Sequence, residues 1–326
     1  MKSKKILLNY YDKNVKKMLI LIIMIVFACL IYQFTDVDIK HFDFAMKIRT
    51  PKLIGMIVAA FCVGSASIIF QTIINNLIVT PCLLGMNSLY VLVHTIIIFV
   101  FGSTSIFTLN KLFSFSFDLF VMGVISFFVY GLLFKKTDSN VLYILLVGSV
   151  LSTLFSSMST TIQRVMDPNE FDQLQSSIVA GFDRVNSNIT NLAIIFIFLI
   201  FIILFRELKL LDVIVLGRNQ SINLGVDYDK VIQKLLIGVT LLIGIATALV
   251  GPISFLGLIV ANLGRQIFKT YKHIYLIFGT AFIGMIILLI GQTLIEQVFE
   301  FNANIGAFVN IGGGIYFLYL ILKNKG

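Results

Sequence analysis

Arg206-Glu-Leu-Lys-Leu-Leu-Asp-Val-Ile-Val-Leu-Gly-Arg-Asn-Gln-Ser-Ile-Asn-Leu-Gly-Val-Asp-Tyr-Asp-Lys230 is the stretch from which the rest of the chain can be read. These 25 residues of mixed polarity stand between two strongly apolar segments, so they must lie outside the bilayer that their neighbours cross. Within the stretch, Arg218 to Leu224 predicts a short helix, Gly225 suits a left-handed cap after it, and Asp227 can cap the helix that follows. A folded, exposed, half-apolar loop on a membrane protein points to a partner; the plainer reading is a solvated linker.

Outward from this island the chain is apolar. Hydrophobic residues make up 58% of its 326 positions and the mean hydropathy is +0.99, beyond soluble domains, whose apolar share is nearer half. A helix needs about 20 apolar residues to cross about 30 Å of hydrocarbon, which leaves room for roughly nine or ten crossings and no large soluble domain. The three cysteines, Cys29, Cys62 and Cys82, fall in or beside apolar segments without metal-type spacing and read as small core residues. The lysine-rich start runs into an uncleaved first membrane helix, because no small-x-small cleavage pattern follows it.

Apolar runs predict helices near 18–34, 51–72, 83–102, 115–134, 141–163, 189–205, 231–250, 254–268, 273–293 and 306–322. Ten crossings put both termini on one side. With that side inside, Lys2, Lys4, Lys5, Lys13, Lys16, Lys17, Lys135, Lys136, Arg206, Lys209, Arg218, Lys230, Lys234, Arg265, Lys269, Lys272, Lys323 and Lys325 are cytoplasmic, 18 of the 25 basic residues. Outside are Lys40, Lys47, Arg49, Lys52, Lys111, Arg164 and Arg184. The positive-inside rule therefore places the island in the cytoplasm. The net charge of +9 belongs to membrane topology and carries no nucleic-acid footprint.

In the second helix Gly55, Ala59, Ala60 and Gly64 let a neighbour approach closely. In the fifth, Ser149, Ser152, Thr153, Ser156, Ser157, Thr160 and Thr161 make a hydroxyl stripe, which reads either as polar helix packing or as the wall of a pathway. No Asp, Glu, Lys or Arg is expected across the middle of the ten spans, and His94 reads as a packed histidine. Such a bare interior argues against an ion-coupled secondary transporter or channel. No His-Glu-x-x-His, Gly-x-Ser-x-Gly or Gly-Lys dipeptide occurs, so neither an enzyme nor a phosphate-binding P-loop is supported. Any ATP must be bound by another chain.

Gly251-Pro-Ile-Ser-Phe-Leu-Gly-Leu-Ile-Val-Ala-Asn-Leu-Gly-Arg265, followed by Tyr271-Lys-His273, closely resembles the type II permease family of ABC importers for iron-siderophores, haem and vitamin B12. The resemblance covers nearly the whole chain. Arg49-Thr-Pro-Lys52, Gln71 and Asn76-Leu-Ile-Val-Thr-Pro-Cys-Leu-Leu-Gly85-Met-Asn-Ser88 look like the family's motifs around its second helix. Leu216-Gly-Arg-Asn-Gln-Ser-Ile-Asn-Leu-Gly-Val226 resembles its cytoplasmic coupling segment, and Asn304-Ile-Gly306 to Tyr319 its last helix. The chain departs from the pattern at Leu77, Ala261 and Asn302-Ala-Asn304, and by Glu296 near a position where many relatives carry Arg.

The resemblance implies an all-α polytopic fold of about ten transmembrane helices, with residues 1–326 forming a single permease domain and residues 206–230 a cytoplasmic coupling loop. The chain would be half of a pore for a ferric siderophore, or alternatively for haem or vitamin B12, in a bacterial cell membrane with both termini cytoplasmic. Leu216, Gly217, Arg218, Asn219, Ile222, Leu224, Gly225 and Val226 would lie on a cytoplasmic ATPase. Arg49 and Lys52 would dock an extracellular substrate-binding (lipo)protein. Ser149, Ser152, Ser156 and Thr160 of the fifth helix and Asn310 of the last would line the pathway, with the outer loop Asp167 to Asn188 near its mouth. The implied partners are two ATP-binding subunits, which carry ATP and Mg, and a second permease, expected to be a different chain because of Glu296. No cofactor, metal or catalytic residue is expected on this chain.

Overall fold

Within hydrocarbon the backbone must satisfy its own hydrogen bonds, so every apolar run of this chain closes into a helix. The computed structural model describes residues 2–103, 105, 110–136, 141–183, 185–300 and 303–323; Arg184, Asn302 and Lys325 lie outside the described residues. They hold thirteen α-helices: α1 Lys2–Phe34, α2 Phe42–Ile74, α3 Met86–Phe101, α4 Lys111–Lys136, α5 Val141–Val165, α6 Pro168–Ile178, α7 Ser187–Ile203, α8 Phe205–Ile214, α9 Arg218–Asn223, α10 Tyr228–Val250, α11 Leu256–Ile267, α12 His273–Gln297 and α13 Ile305–Lys323. Each of the ten apolar runs overlaps one of them, and α1 and α2 begin well before theirs. The others are α6, α8 and α9, of which the sequence predicts α9 alone.

Among the described residues, α1, α2, α4, α10 and α12 are long and apolar enough to cross a membrane, and α7 with α8 makes a sixth span if the pair, bent by 59°, counts as one. At 16 and 12 residues, α3 and α11 are shorter than a full crossing. The chain before each of them enters the bundle as irregular backbone, which membrane proteins tolerate only where protein supplies the hydrogen bonds. Here it does: the Leu77 carbonyl accepts from Gln71 Nε2 at 2.8 Å and Asn262 Nδ2 at 3.0 Å, and Gly181 N–H donates to the Val250 carbonyl at 2.8 Å. Gly251 turns the chain at φ +90°, where an added Cβ would lie 2.9 Å from Ala180 Cα.

α2 packs most extensively on α12 and α10. In these three helices 78%, 67% and 72% of the crossing window is buried, against 17% in α1, so they form the centre and α1 lies at the edge. The small residues of α2 do what their spacing predicts: Gly64 sits against the Ala281 backbone and Ala60 against Gly284. Cys62 is wholly buried beside them, a core residue as expected.

Polar contacts gather at the two ends of the bundle. At one end Lys17 reaches the Ile267 carbonyl, Glu207 pairs with Lys234, and Asp212 meets His273. At the other, Tyr32 bonds Glu296 and Lys52 pairs with Asp183. α1, α2 and α12 each run from one set to the other.

Candidate functional site

The island folds into a hairpin of α8 and α9 at the first of these ends. α8 buries Leu211 and Ile214 and directs Glu207 onto Lys234 of α10 at 2.7 Å. Gly217 at φ +93° turns the chain into α9, and no atom lies within 4 Å of the Cβ it lacks, so the dihedral alone demands glycine. The buried Ser221 hydroxyl then ties α9 back to α8, lying 3.1 Å from the Val213 carbonyl and 2.8 Å from that of Gly217.

α9 ends in a Schellman cap: Val226 N–H donates to the Ser221 carbonyl at 3.0 Å, Gly225 N–H to the Ile222 carbonyl at 2.9 Å, and Gly225 sits at φ +82°. Asp227 caps α10 by accepting from the Lys230 N–H. The hydrogen bond from the Lys230 side chain holds the Asp227 carboxyl below its ordinary range, so this cap stays charged until the pH falls well into the acid. Arg218 spans the turn to Asp229, Nη2 to Oδ2 3.0 Å.

These bonds freeze the hairpin and leave Leu216, Ile222 and Leu224 outside it, at 50%, 46% and 63% exposure. Three large apolar side chains standing clear of a polar turn form an exposed apolar patch. All eight residues of the predicted coupling set lie on this one element.

At the opposite end Arg49 and Lys52 stand one turn apart on α2. Each has a partner in its own chain, which the sequence did not reveal. Arg49 Nη1 donates to the carbonyls of Tyr32 at 3.1 Å, Gln33 at 3.4 Å and Thr35 at 2.6 Å, placing a cation on the unpaired carbonyls that end α1. Lys52 Nζ lies 2.5 Å from Asp183 Oδ1. Glu296 accepts from the Tyr32 hydroxyl at 3.2 Å and from Gln292 Nε2 at 2.9 Å, so this departure from the family pattern is used internally.

The hydroxyl stripe of α5 divides between the two readings. Ser152 and Ser156 both bond Ser88 of α3, at 2.9 and 3.0 Å, and Ser159 bonds Thr95 at 2.8 Å, so Ser152 and Ser159 belong to interhelical packing, while Ser156 joins that contact and stays exposed. Gly85, at φ +81°, brings the start of α3 onto the Ser152 backbone, which explains the Gly85-Met-Asn-Ser88 motif as a helix contact. Ser149 and Thr160 are exposed and, among the described residues, bond back along α5, to the Leu146 and Ser156 carbonyls. Beside them Val150, Thr153, Leu154, Ser157, Met158, Thr161 and Ile162 line an open hollow of about 690 Å³. Asn310 is half-buried on α13, and its Oδ1 has no hydrogen-bond partner among the described residues. α5 and α13 share no packed interface among the described residues, so one chain does not bring Ser149 and Asn310 together.

The expected absence of charge inside the spans needs correction. Asp118, within the crossing window of α4, is 2% exposed, and its Oδ2 lies 3.2 Å from His94 Nδ1. His94 is packed as expected, stacked on Tyr90 at 5.1 Å between centroids. Its carboxylate neighbour keeps it from being merely apolar filling, and the bare-interior argument against ion coupling falls with it.

A family model described as the FecCD transport family matches residues 14–323. The petrobactin import system permease protein YclO of Bacillus subtilis is 43% identical over 288 residues, covering 88% of this chain and 91% of that protein. A second permease protein of the petrobactin import system in the same organism, YclN, is 27% identical over 85% of both chains. Among solved structures, one described as an inward-facing metal-chelate type ABC transporter superposes with a TM-score of 0.77 at 20% identity, covering 95% of this chain and 99% of that one. The latter likeness carries the fold alone.

Proposed function

Because the chain belongs to the FecCD transport family, we propose that it forms one half of the membrane pathway of an ATP-driven importer whose cargo is a ferric siderophore of the petrobactin kind. The observation that carries the cargo is the 43% identity, over 88% of this chain, with a permease of a petrobactin import system. It favours a siderophore over haem or vitamin B12. The hairpin supports the energy source, because a rigid turn with three exposed apolar side chains suits the surface of a cytoplasmic ATPase.

In this reading the chain performs no covalent chemistry. Two partner subunits bind ATP and Mg and move the hairpin, and the helices tilt between outward- and inward-open arrangements. The cargo shifts that equilibrium only through its different affinity for the two states. Ser149 and Thr160 on α5 and Asn310 on α13 face a pathway completed by a second permease. We assign that partner to a different chain: Bacillus subtilis has two distinct permease proteins of its petrobactin import system, and both resemble this one. The hairpin end, with both termini, faces the cytoplasm of a bacterial cell, in keeping with the basic residues gathered there.

The test is uptake of iron-labelled siderophores, haem and cobalamin by proteoliposomes holding this chain with its co-purifying partners, with ATP inside. ATP-dependent accumulation of petrobactin above the other ligands is expected. Accumulation that ignores ATP and follows an ion gradient overturns the reading.

Arg49 and Lys52 remain our docking residues for a substrate-binding protein, reached by exchanging their internal partners for its carboxylates. Arg49→Glu with Lys52→Glu is expected to slow association of that protein about tenfold at low salt, with the difference shrinking as salt screens it. Binding kinetics on nanodiscs measure this, and an association rate equal to wild type at low salt removes the docking role. Lys52→Gln, which spares the Arg49 cap on α1, separates docking from damage to α1.

A further inference from the structure

From the hairpin a continuous run of hydrogen bonds enters the bundle. Asp212, on α8 beside the Val213 carbonyl that holds Ser221, accepts from the His273 backbone N–H at 2.9 Å and lies 2.6 Å from His273 Nδ1. A carboxylate only accepts, so a neutral His273 carries its proton on Nδ1 and presents Nε2 as an acceptor. That Nε2 lies 3.0 Å from Thr72 Oγ1, near the end of α2. Thr72 Oγ1 in turn accepts from Arg265 Nη2 of α11 at 3.0 Å, and Arg265 Nε approaches Gln71 Oε1 at 3.4 Å. Gln71 and Asn262 share the Leu77 carbonyl in the irregular segment before α3.

His273 is 2% exposed and Thr72 2%, whereas the Asp212 side chain is 39% exposed. The run therefore leads from a surface element to the ends of α11 and of two helices of the centre, α2 and α12. Thr72 has one hydroxyl proton and two acceptors in reach, His273 Nε2 and, at 2.8 Å, the Ile68 carbonyl of its own helix. A displacement of α8 that moved the imidazole would let that proton turn back to Ile68 and free the link to α12, so the junction has two hydrogen-bonded states. A directional, charge-assisted contact at the head of the run resists separation better than apolar packing, which slides.

We propose that Asp212, His273 and Thr72 are positioning residues that transmit displacement of the exposed hairpin to the ends of α2, α11 and α12. This deepens the importer reading and rests on it. Its readout is the ratio of cargo accumulated to ATP hydrolysed by the complete transporter in proteoliposomes. A purely structural role would lower both together.

Asp212→Asn is expected to cut that ratio about tenfold, the order of one charge-assisted hydrogen bond. Thr72→Val, close to isosteric and keeping the backbone bonds, tests the inner half of the run without touching the Asp212–His273 contact and should also lower the ratio. Asp212→Glu should recover part of the loss. A ratio equal to wild type in both Asp212→Asn and Thr72→Val overturns the proposal, as does a parallel fall of uptake and hydrolysis. If the wild-type chain captures no ATPase and accumulates cargo without ATP, the importer reading itself has failed, and the two failures are distinct.

Discussion

Gly64→Val is expected to keep most of the protein from reaching its folded state. A Cβ at this position of α2 would stand 2.9 Å from the Ala281 nitrogen, 3.0 Å from Ala281 Cα and 3.0 Å from the Thr280 carbonyl carbon. All three are backbone atoms of α12, so no rotamer change relieves the contact and the helices themselves must separate. Separation would also stretch the Thr280 Oγ1 to Gly64 carbonyl contact at 3.2 Å and open the seam where Ala60 meets Gly284. Overpacking in a close-packed core costs about 3 kcal/mol or more when the backbone must move.

The expected result is a large loss of monodisperse protein after detergent extraction and a lowered thermal midpoint in what survives. Gly314→Ala on α13 is the control, because no atom of the described residues lies within 4 Å of its missing Cβ. Normal yield and midpoint for Gly64→Val would mean that α2 and α12 do not meet at this distance.

The second large effect lies on the surface. Ile222→Glu with Leu224→Glu is expected to abolish association with the ATP-binding subunit while leaving the fold intact. These side chains are 46% and 63% exposed, and the bonds that shape α9 run through Ser221, Gly225 and Val226 instead. Burying two such side chains against a partner contributes about 3 kcal/mol or more, upwards of 100-fold in Kd, and two desolvated carboxylates would oppose contact further. Co-purification with the ATPase and the thermal midpoint of this chain read the two halves of the statement. Retained association at an unchanged midpoint would move the ATPase surface elsewhere.

Much of this hairpin was legible in the sequence because its determinants are local. The left-handed cap at Gly225 and the Asp227 cap of α10 each depend on residues within one turn, and both formed as read. α6 was equally available: Asp167-Pro168-Asn169-Glu170 is an N-cap, a proline at the first turn and an acidic residue three beyond the cap, and Asp167 accepts from the Asn169 N–H at 2.9 Å. The polarity of the segment makes it resemble a loop. α8 is hidden for a related reason, since the Leu211 and Ile214 that it buries stand within a polar island.

What the sequence determined by itself is the class of molecule and the placing of its apolar helices. Partition into hydrocarbon is a sum over neighbouring residues, and about 20 of them suffice to settle it. What only the tertiary structure decided is the use of each polar side chain. Arg49 was legible as a basic residue at a helix start, but its engagement with the end of α1 depends on two helices lying side by side. Ser152 belongs to packing and Ser149 to an open face because α3 passes one and not the other. Asp118 meets His94, and Arg265 meets Thr72 193 positions away. Partner choice over such separations is fixed by how the helices pack, and no local pattern in the chain encodes it.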